Sequence, residues 1–348
     1  MDLFTLTRHL INIPSVTGDE TAVGCFLHDH LSRLGYTVEV QEVAEGRSNL
    51  LATTDAVPRV VFSTHMDTVP PFSSASEDEE MIYGRGACDA KGIIAAQIAA
   101  AERLRAEGLD EIGLLFTVDE ELASAGAQTA NQHAIANKCR FLINGEPTDN
   151  LLAVGTKGSM RLVLTTEGRS AHSAYPEAGD SAIEKLLNVL QSIRECVWPH
   201  DVFFGDTTCN IGVLNGGTRP NVIPDRATAE LQIRLACDRE NVKRVVDRAI
   251  GGRARAEYSS GHDPVRLLSV DGFEECVVRF TTDIPYLTNW GSPLLLGPGS
   301  ILDAHTDHER VSKRELERAV ELYVRLAKQL NAFTGTAGGS PSTSAKRE

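Results

Sequence analysis

The chain has 348 residues, a formal net charge of −14, 42% hydrophobic and 24% charged residues, a profile expected of a globular protein in water. That acidity argues against nucleic acid or anionic lipid as a partner, because phosphate contacts need clustered Lys and Arg. No apolar run approaches the roughly 18 residues of a membrane span, so neither nucleic acid nor a membrane is expected as a partner. The start MDLFTLTRHL lacks the basic and apolar segments of a secretory leader, which predicts a cytoplasmic location. The seven cysteines are an odd count without a CxxC pair, so they are expected to be reduced and mostly buried rather than bridged or bound to zinc.

In chain order, Thr17 and Glu20 have capping-box spacing before the helical stripe Val23, Phe26, Leu27, Leu31 and Leu34. Residues 37–43 alternate like a half-buried strand, with 49–53 as a candidate partner. Residues 59–63, 113–118 and 140–144 read as short buried strands around an Ala-rich helix at 92–105. This is an α/β layout with a mostly parallel sheet flanked by helices, whose chemistry belongs at the carboxyl ends of the strands. From about residue 156 the texture changes. Strands at 160–166, 210–214 and 227–235 and helices at 180–196 and 239–250 predict an inserted α+β sandwich over residues 156–265. The catalytic domain is thus expected in two pieces, 1–155 and 266–332, ending in a helix at 312–330. The small, polar tail 333–348 is predicted to be disordered.

Metal-ligand side chains recur just after the apolar runs. His65 and Asp67 follow residues 60–62, Asp89 lies in "GRGACDAKG", Glu120 and Glu121 follow Val118, Glu146 follows 141–143, and His305 sits in "LDAHTDHE". Singly, each reads equally as a turn residue or part of a solvated charge run. Together they could converge on one sheet edge, and a His-plus-carboxylate set without thiolate suits zinc or another divalent first-row ion. Adjacent carboxylates about 4 Å apart at an effective dielectric near 20 would cost roughly 4 kcal/mol, which a cation would relieve.

The blocks "STHMDTVP", "GRGACDAKG", "TVDEE", "NGEP" and "GPGSILDAHTDHERV", in this order, resemble the M20 metallopeptidases and deacylases, a family that includes acetylornithine deacetylase, succinyl-diaminopimelate desuccinylase and aminoacylase. The likeness extends to about residue 332. It implies a zinc-exopeptidase-like catalytic domain with a lid and dimerisation domain, and two divalent ions, zinc first and cobalt or manganese as alternatives. His65, Asp89 and Glu146 would hold one ion, and Asp89 as the bridge, Glu121 and His305 the other. His308 competes for the last role, but the family's spacing from His to a following Glu selects His305 and Glu309.

The resemblance further implies that Asp67 orients His65, that Glu120 is the general base, and that the bond after Asp89 is cis. His172, in "GRSAHSAYPEAG", would stabilise the oxyanion across a homodimer interface. Asn221 in "NVIP", Arg234 in "LQIR", and Gly297 and Gly299 would contact the substrate, Arg234 through its α-carboxylate. Two positions depart from the usual pattern: Ala90 beside the bridging Asp, and Gln232 where relatives carry Asp. The expected activity is hydrolysis of an N-acyl amino acid of amino-acid metabolism, with acetylornithine, acetylcitrulline or acetyl-lysine preferred. A dipeptidase, an aminopeptidase or a desuccinylase is the alternative, and a non-catalytic metal-binding relative the remote one.

Overall fold

The computed structural model describes residues 1–333; the predicted tail, 333–348, lies outside them but for its first residue. The chain divides into two compact units, one formed by Met1–Val154, Leu267–Cys276 and the chain from Thr282, the other by Gly155–Arg266 and Val277–Thr281.

In the first unit, four strands run parallel: Ile112–Thr117 beside Val60–His65, then Phe141–Asn144, then Ser292–Leu295. The antiparallel hairpin Thr37–Ala44 and Arg47–Thr53 extends the sheet at the Ile112–Thr117 side. Every residue of Val60–His65, Ile112–Thr117 and Phe141–Asn144 is buried, because helices or loops cover both faces. Val60, Phe62, Leu114, Phe116 and Ile143 pack with the helices Leu3–Ile11, Thr21–Arg33, Lys91–Ala106 and Lys313–Ala332. The intervening Val61, Leu115 and Leu142 pack on the other side with Ala127, Ala130, Leu287 and Trp290. Period-two side-chain alternation thus feeds two cores from one sheet.

In the second unit, strands Gly158–Glu167, Thr208–Gly216, Arg226–Leu235 and Arg255–His262 form an antiparallel sheet, with Arg226–Leu235 and Gly158–Glu167 inside and the other two at its edges. The helices Ala182–Arg194 and Arg239–Ile250 bury Leu186, Val189, Ile193, Val242 and Val246 against it. Arg239–Ile250 stops at Gly251, which adopts a left-handed conformation at φ 54° that glycine takes without a Cβ penalty.

Several local expectations fail for identifiable reasons. The capping box does not form: the Thr17 hydroxyl donates to Asp67 Oδ2 at 2.8 Å, and Glu20 instead pairs with Arg47 at 2.6 Å. The first helix, Leu3–Ile11, is capped by Asp2, whose side chain accepts from the Thr5 amide; it had no counterpart in the sequence reading. The edge strand Arg255–His262 was also missed, since RAEYSSGH lacks a continuous apolar alternation. All seven cysteines are free, but only Cys88 and Cys139 are buried and Cys25 is exposed, correcting the expectation that most lie in the core. Among the described residues, no helix is long and apolar enough to cross a membrane.

Candidate metal centre

The parallel strands deliver the site. His65 ends the first strand, Glu120 and Glu121 follow Thr117 of the second, Glu146 follows Asn144 of the third, and Gly297 follows Leu295 of the fourth. In register, His65 lies opposite Thr117 and Asn144 lies between Ser63 and Leu295, so these chain ends emerge at a common edge. Asp89 precedes the helix Lys91–Ala106, where the positive end of the helix dipole favours a carboxylate. The Asp89–Ala90 peptide bond is cis.

The ligand atoms of His65, Asp89 and Glu121 all lie within 4.8 Å of one another. His65 Nε2 stands 2.9 Å from Asp89 Oδ1, while His305 Nε2 stands 2.9 Å from Glu121 Oε1 and 3.3 Å from Asp89 Oδ2. Asp89 therefore touches both imidazoles through different oxygens. His308 is exposed, and its backbone N–H donates to the Thr306 hydroxyl. Glu146 is buried with Oε1 lacking any hydrogen-bond partner, an arrangement that costs free energy unless something positive completes it.

The His65 tautomer strengthens this point. Nδ1 lies 2.9 Å from the Asp67 carbonyl, which can only accept, so Nδ1 carries a proton. In the neutral ring Nε2 then presents a lone pair to the Asp89 carboxylate. Two lone-pair atoms in contact require a cation or a proton between them, so the donor set fits a metal on the structure's own terms.

Electrostatics shows the same imbalance. Burial favours a neutral His65, yet the carboxylates of Asp67 and Asp89 prevail and push its pKa well above the ordinary value. Hydrogen bonds to Asp89 and Glu121 raise His305 to about 10. Burial, then the charge of Glu146, pushes Glu120 well above the usual carboxylate range, and burial does the same for Glu146 itself. Asp89 moves the other way: burial would raise it, but hydrogen bonds from His305 and His65 hold it low.

The neighbouring glutamates are held by the backbone. Asp119 adopts φ 70°, and its carbonyl accepts the amides of Leu122, Ala123 and Ser124. Arg47 bonds Asp119 Oδ1 at 2.8 Å, anchoring this turn to Glu20. Asp67 accepts the Glu120 and Glu121 amides, so one carboxylate supports both His65 and the glutamate pair.

Three supports were absent from the sequence reading. Buried Asp283 accepts from the Thr117 hydroxyl at 2.8 Å, and burial raises it to about 6. Arg47 is the second. Arg85 is the third, pairing with Glu309 at 2.7 Å while the other Glu309 oxygen accepts the amides of Cys88 and Asp89. Arg85 was legible inside "GRGACDAKG"; Asp283 and Arg47 carried no local signal.

Gly297 and Gly299 lie in the first unit, and both make close approaches. A Cβ at Gly297 would fall 2.5 Å from the Glu146 carbonyl, and one at Gly299, at φ 84°, 2.5 Å from Cys88 Cβ. The close packing that these glycines permit is against the site's own loops. In the second unit, His172 and Asn221 are neighbours: His172 pairs with Val222, and the Ser173 amide donates to the Asn221 carbonyl at 3.0 Å. Arg234 Nη1 donates to the Thr281 hydroxyl at 3.4 Å.

Residues 61–329 match the model of Peptidase family M20/M25/M40. The chain belongs to this family. M20 membership makes it a metallohydrolase acting on amide or peptide bonds, and places the His65, Asp89 and Glu121 cluster in a family of metal-binding peptidases. A probable carboxypeptidase of Aspergillus terreus is 37% identical over 364 aligned residues, which cover 92% of this chain and 84% of that protein. The fold matches a tripeptidase from Staphylococcus aureus with a TM-score of 0.78 at 22% identity, covering 94% of this chain and 97% of that one. It also matches a Bacillus subtilis protein described as a dinuclear metal-binding M20 peptidase, with a TM-score of 0.68 at 16% identity and 95% and 98% coverage.

Proposed function

We propose that this M20 enzyme cleaves the amide bond between an acyl or peptidyl group and an amino acid whose α-carboxylate is free, in the manner of a carboxypeptidase or dipeptidase. The observation that carries the reading is Asp89 set between His65 and His305, with Glu121 and the unpartnered Glu146 oxygen beside it. The peptidase name of the Aspergillus relative favours a peptidyl over an acetyl group. That name does not single out acetylated ornithine, citrulline or lysine, so those compounds become arms of the test. A peptidyl amino acid and an N-acyl amino acid share the same reacting unit, an amide nitrogen beside a carboxylate-bearing carbon.

His65, Asp89 and Glu146 would hold one divalent ion, and Asp89, Glu121 and His305 a second, with zinc the first choice for this donor set. When bound, such ions supply Lewis acidity, lowering the pKa of water and polarising a carbonyl. Glu120 makes no side-chain hydrogen bond to the ligand set, and burial has made it basic for a carboxylate. It takes the proton of the attacking water and returns it to the amine nitrogen as the C–N bond breaks. Asp67 holds the His65 ring and the Glu120 backbone in place meanwhile.

His172 Nδ1 accepts the Ala174 amide at 3.1 Å, which leaves the proton of the neutral ring on Nε2, ready to donate to a developing oxyanion. Asn221 would contact the substrate, and Arg234 its carboxylate through a planar guanidinium. The unit carrying these residues is proposed as the lid and as the surface of a homodimer. Support comes from its edge strand Thr208–Gly216, where Val213 and Leu214 are 43% and 52% exposed, as an unpaired strand edge invites pairing.

The deciding experiment is metal analysis of the purified protein with a hydrolysis panel. The panel compares dipeptides and blocked dipeptides with N-acetyl and N-succinyl amino acids, including ornithine, citrulline, lysine and diaminopimelate derivatives. Turnover of peptides with a free C-terminus, lost on C-terminal amidation, is expected. Failure to bind any divalent metal would sink the reading, and turnover confined to acetylornithine would replace the peptidase mode with the deacetylase one.

A further inference from the structure

The metal cluster meets solvent at one edge. The His65 side chain is 1% exposed and that of Glu121 7%, whereas His305 is 48% exposed. Two leucines lie close in the chain to the candidate ligands at this edge. Leu122 directly follows Glu121 and is 79% exposed; Leu302, three residues before His305, is 84% exposed. They are the two most exposed leucines among the described residues. Their backbone is well held: the Leu122 amide donates to the Asp119 carbonyl, and the amides of Asp303 and Ala304 both donate to Ser300, making a tight turn around Leu302. Neither side chain belongs to a core cluster. A lone exposed leucine needs no explanation, but here one follows a candidate ligand and the other precedes its partner, and the ligand atoms touch at 2.9 Å.

We propose that Leu122 and Leu302 form an apolar rim that receives a bulky apolar side chain of the substrate next to the scissile amide. The inference deepens the proposed hydrolase function and rests on it. Its physical basis is that both leucines are wetted in the free protein and lie within a turn of the candidate ligands, so a substrate held there would cover them. Burying a leucine-sized side chain is worth roughly tenfold to a hundredfold in binding. Preferred substrates would then be small peptides or N-acyl amino acids with leucine, methionine or phenylalanine at the cleaved bond, and glycine or acidic residues would be poor.

The test compares N-acetyl-leucine with N-acetyl-glycine in wild type, Leu122→Ser, Leu302→Ser and the double variant, with metal content and Tm measured alongside. The expected result is a leucine preference in wild type, and a fall of about tenfold or more in the kcat/KM ratio of the two substrates in the double variant, carried by KM. An unchanged ratio overturns the rim. Calorimetric binding of the same compounds to metal-loaded Glu120→Gln keeps the two ideas apart. Absent turnover in wild type of both these compounds and the dipeptide Gly-Leu counts against the hydrolase function, whereas equal affinity for the two ligands counts against the rim.

Discussion

Asp67 accepts the backbone N–H of Glu120 at 3.1 Å through Oδ1 while that same oxygen lies 3.4 Å from His65 Nδ1. A single carboxylate thus couples the orientation of a candidate ligand to the position of the candidate base. Replacing Asp67 by Ala removes both supports and leaves buried donors unpaired. Metal affinity should fall about tenfold to a hundredfold, as it does when a group that orients a ligand is lost, with kcat falling too, read by metal titration and steady-state kinetics. Unchanged metal affinity would mean that the ring is held by the Asp67 carbonyl alone.

Glu120 and Glu121 are predicted to separate cleanly. Glu120→Gln should retain its metal yet lose about 10²- to 10⁴-fold in kcat, the usual worth of a positioned acid–base group. Glu121→Gln should lose metal first, because its Oε1 is the atom 2.9 Å from His305. Mass spectrometry under native conditions beside kinetics checks both, and equal metal loss in the two variants would defeat the division of roles.

Glu309 is 3% exposed and accepts from Arg85 and from the amides of Cys88 and Asp89. Glu309→Ala strands a buried guanidinium, a defect that typically costs about 3–5 kcal/mol. A markedly lowered Tm and weaker metal retention are expected in thermal unfolding with and without added zinc. A Tm within a degree of wild type would show that Arg85 finds another partner.

Metal should stabilise the fold. Removing it leaves buried carboxylates facing one another, and a ligand at 100 times its Kd adds about 2.7 kcal/mol to the folded state. Scanning calorimetry should show a lower Tm after chelation, restored by zinc, cobalt or manganese and not by monovalent salt. Indifference of Tm to chelation would count against His65, Asp89 and Glu121 as ligands.

Thiol reactivity should follow burial. Cys139 is buried and its thiol is pushed up to about 12 by desolvation, whereas Cys25 is exposed. Mapped alkylation of the native protein near neutral pH should modify Cys25 first and leave Cys139 intact until unfolding. Early labelling of Cys139 would show that the side of the sheet carrying Val61, Leu115 and Leu142 opens readily.

Three of the candidate ligand blocks were legible because His65, the Glu120–Glu121 pair and Glu146 each close or follow a short run that is buried whole, at residues 60–65, 112–117 and 141–144. A buried strand followed by a polar side chain is a strong local pattern, and its function depends on the order of such patterns rather than on distances. The supports were not legible for the opposite reason. Arg47 meets Asp119 from 72 residues away and Asp283 meets Thr117 from 166, so neither partner marks the other in the chain. Thr17 and Glu20 show how a correct local motif loses: Asp67 and Arg47 offer buried or charged partners that outweigh a helix cap.

The sequence by itself determined the parallel α/β scaffold and the family, since apolar periodicity and the ordered motif blocks are written locally. Only the tertiary structure decided that Asp89 lies between His65 and His305, that Asp67 serves both glutamates, and that Leu122 and Leu302 are left exposed to water. Those relations join residues on separate loops, and the packing of the sheet sets their spacing.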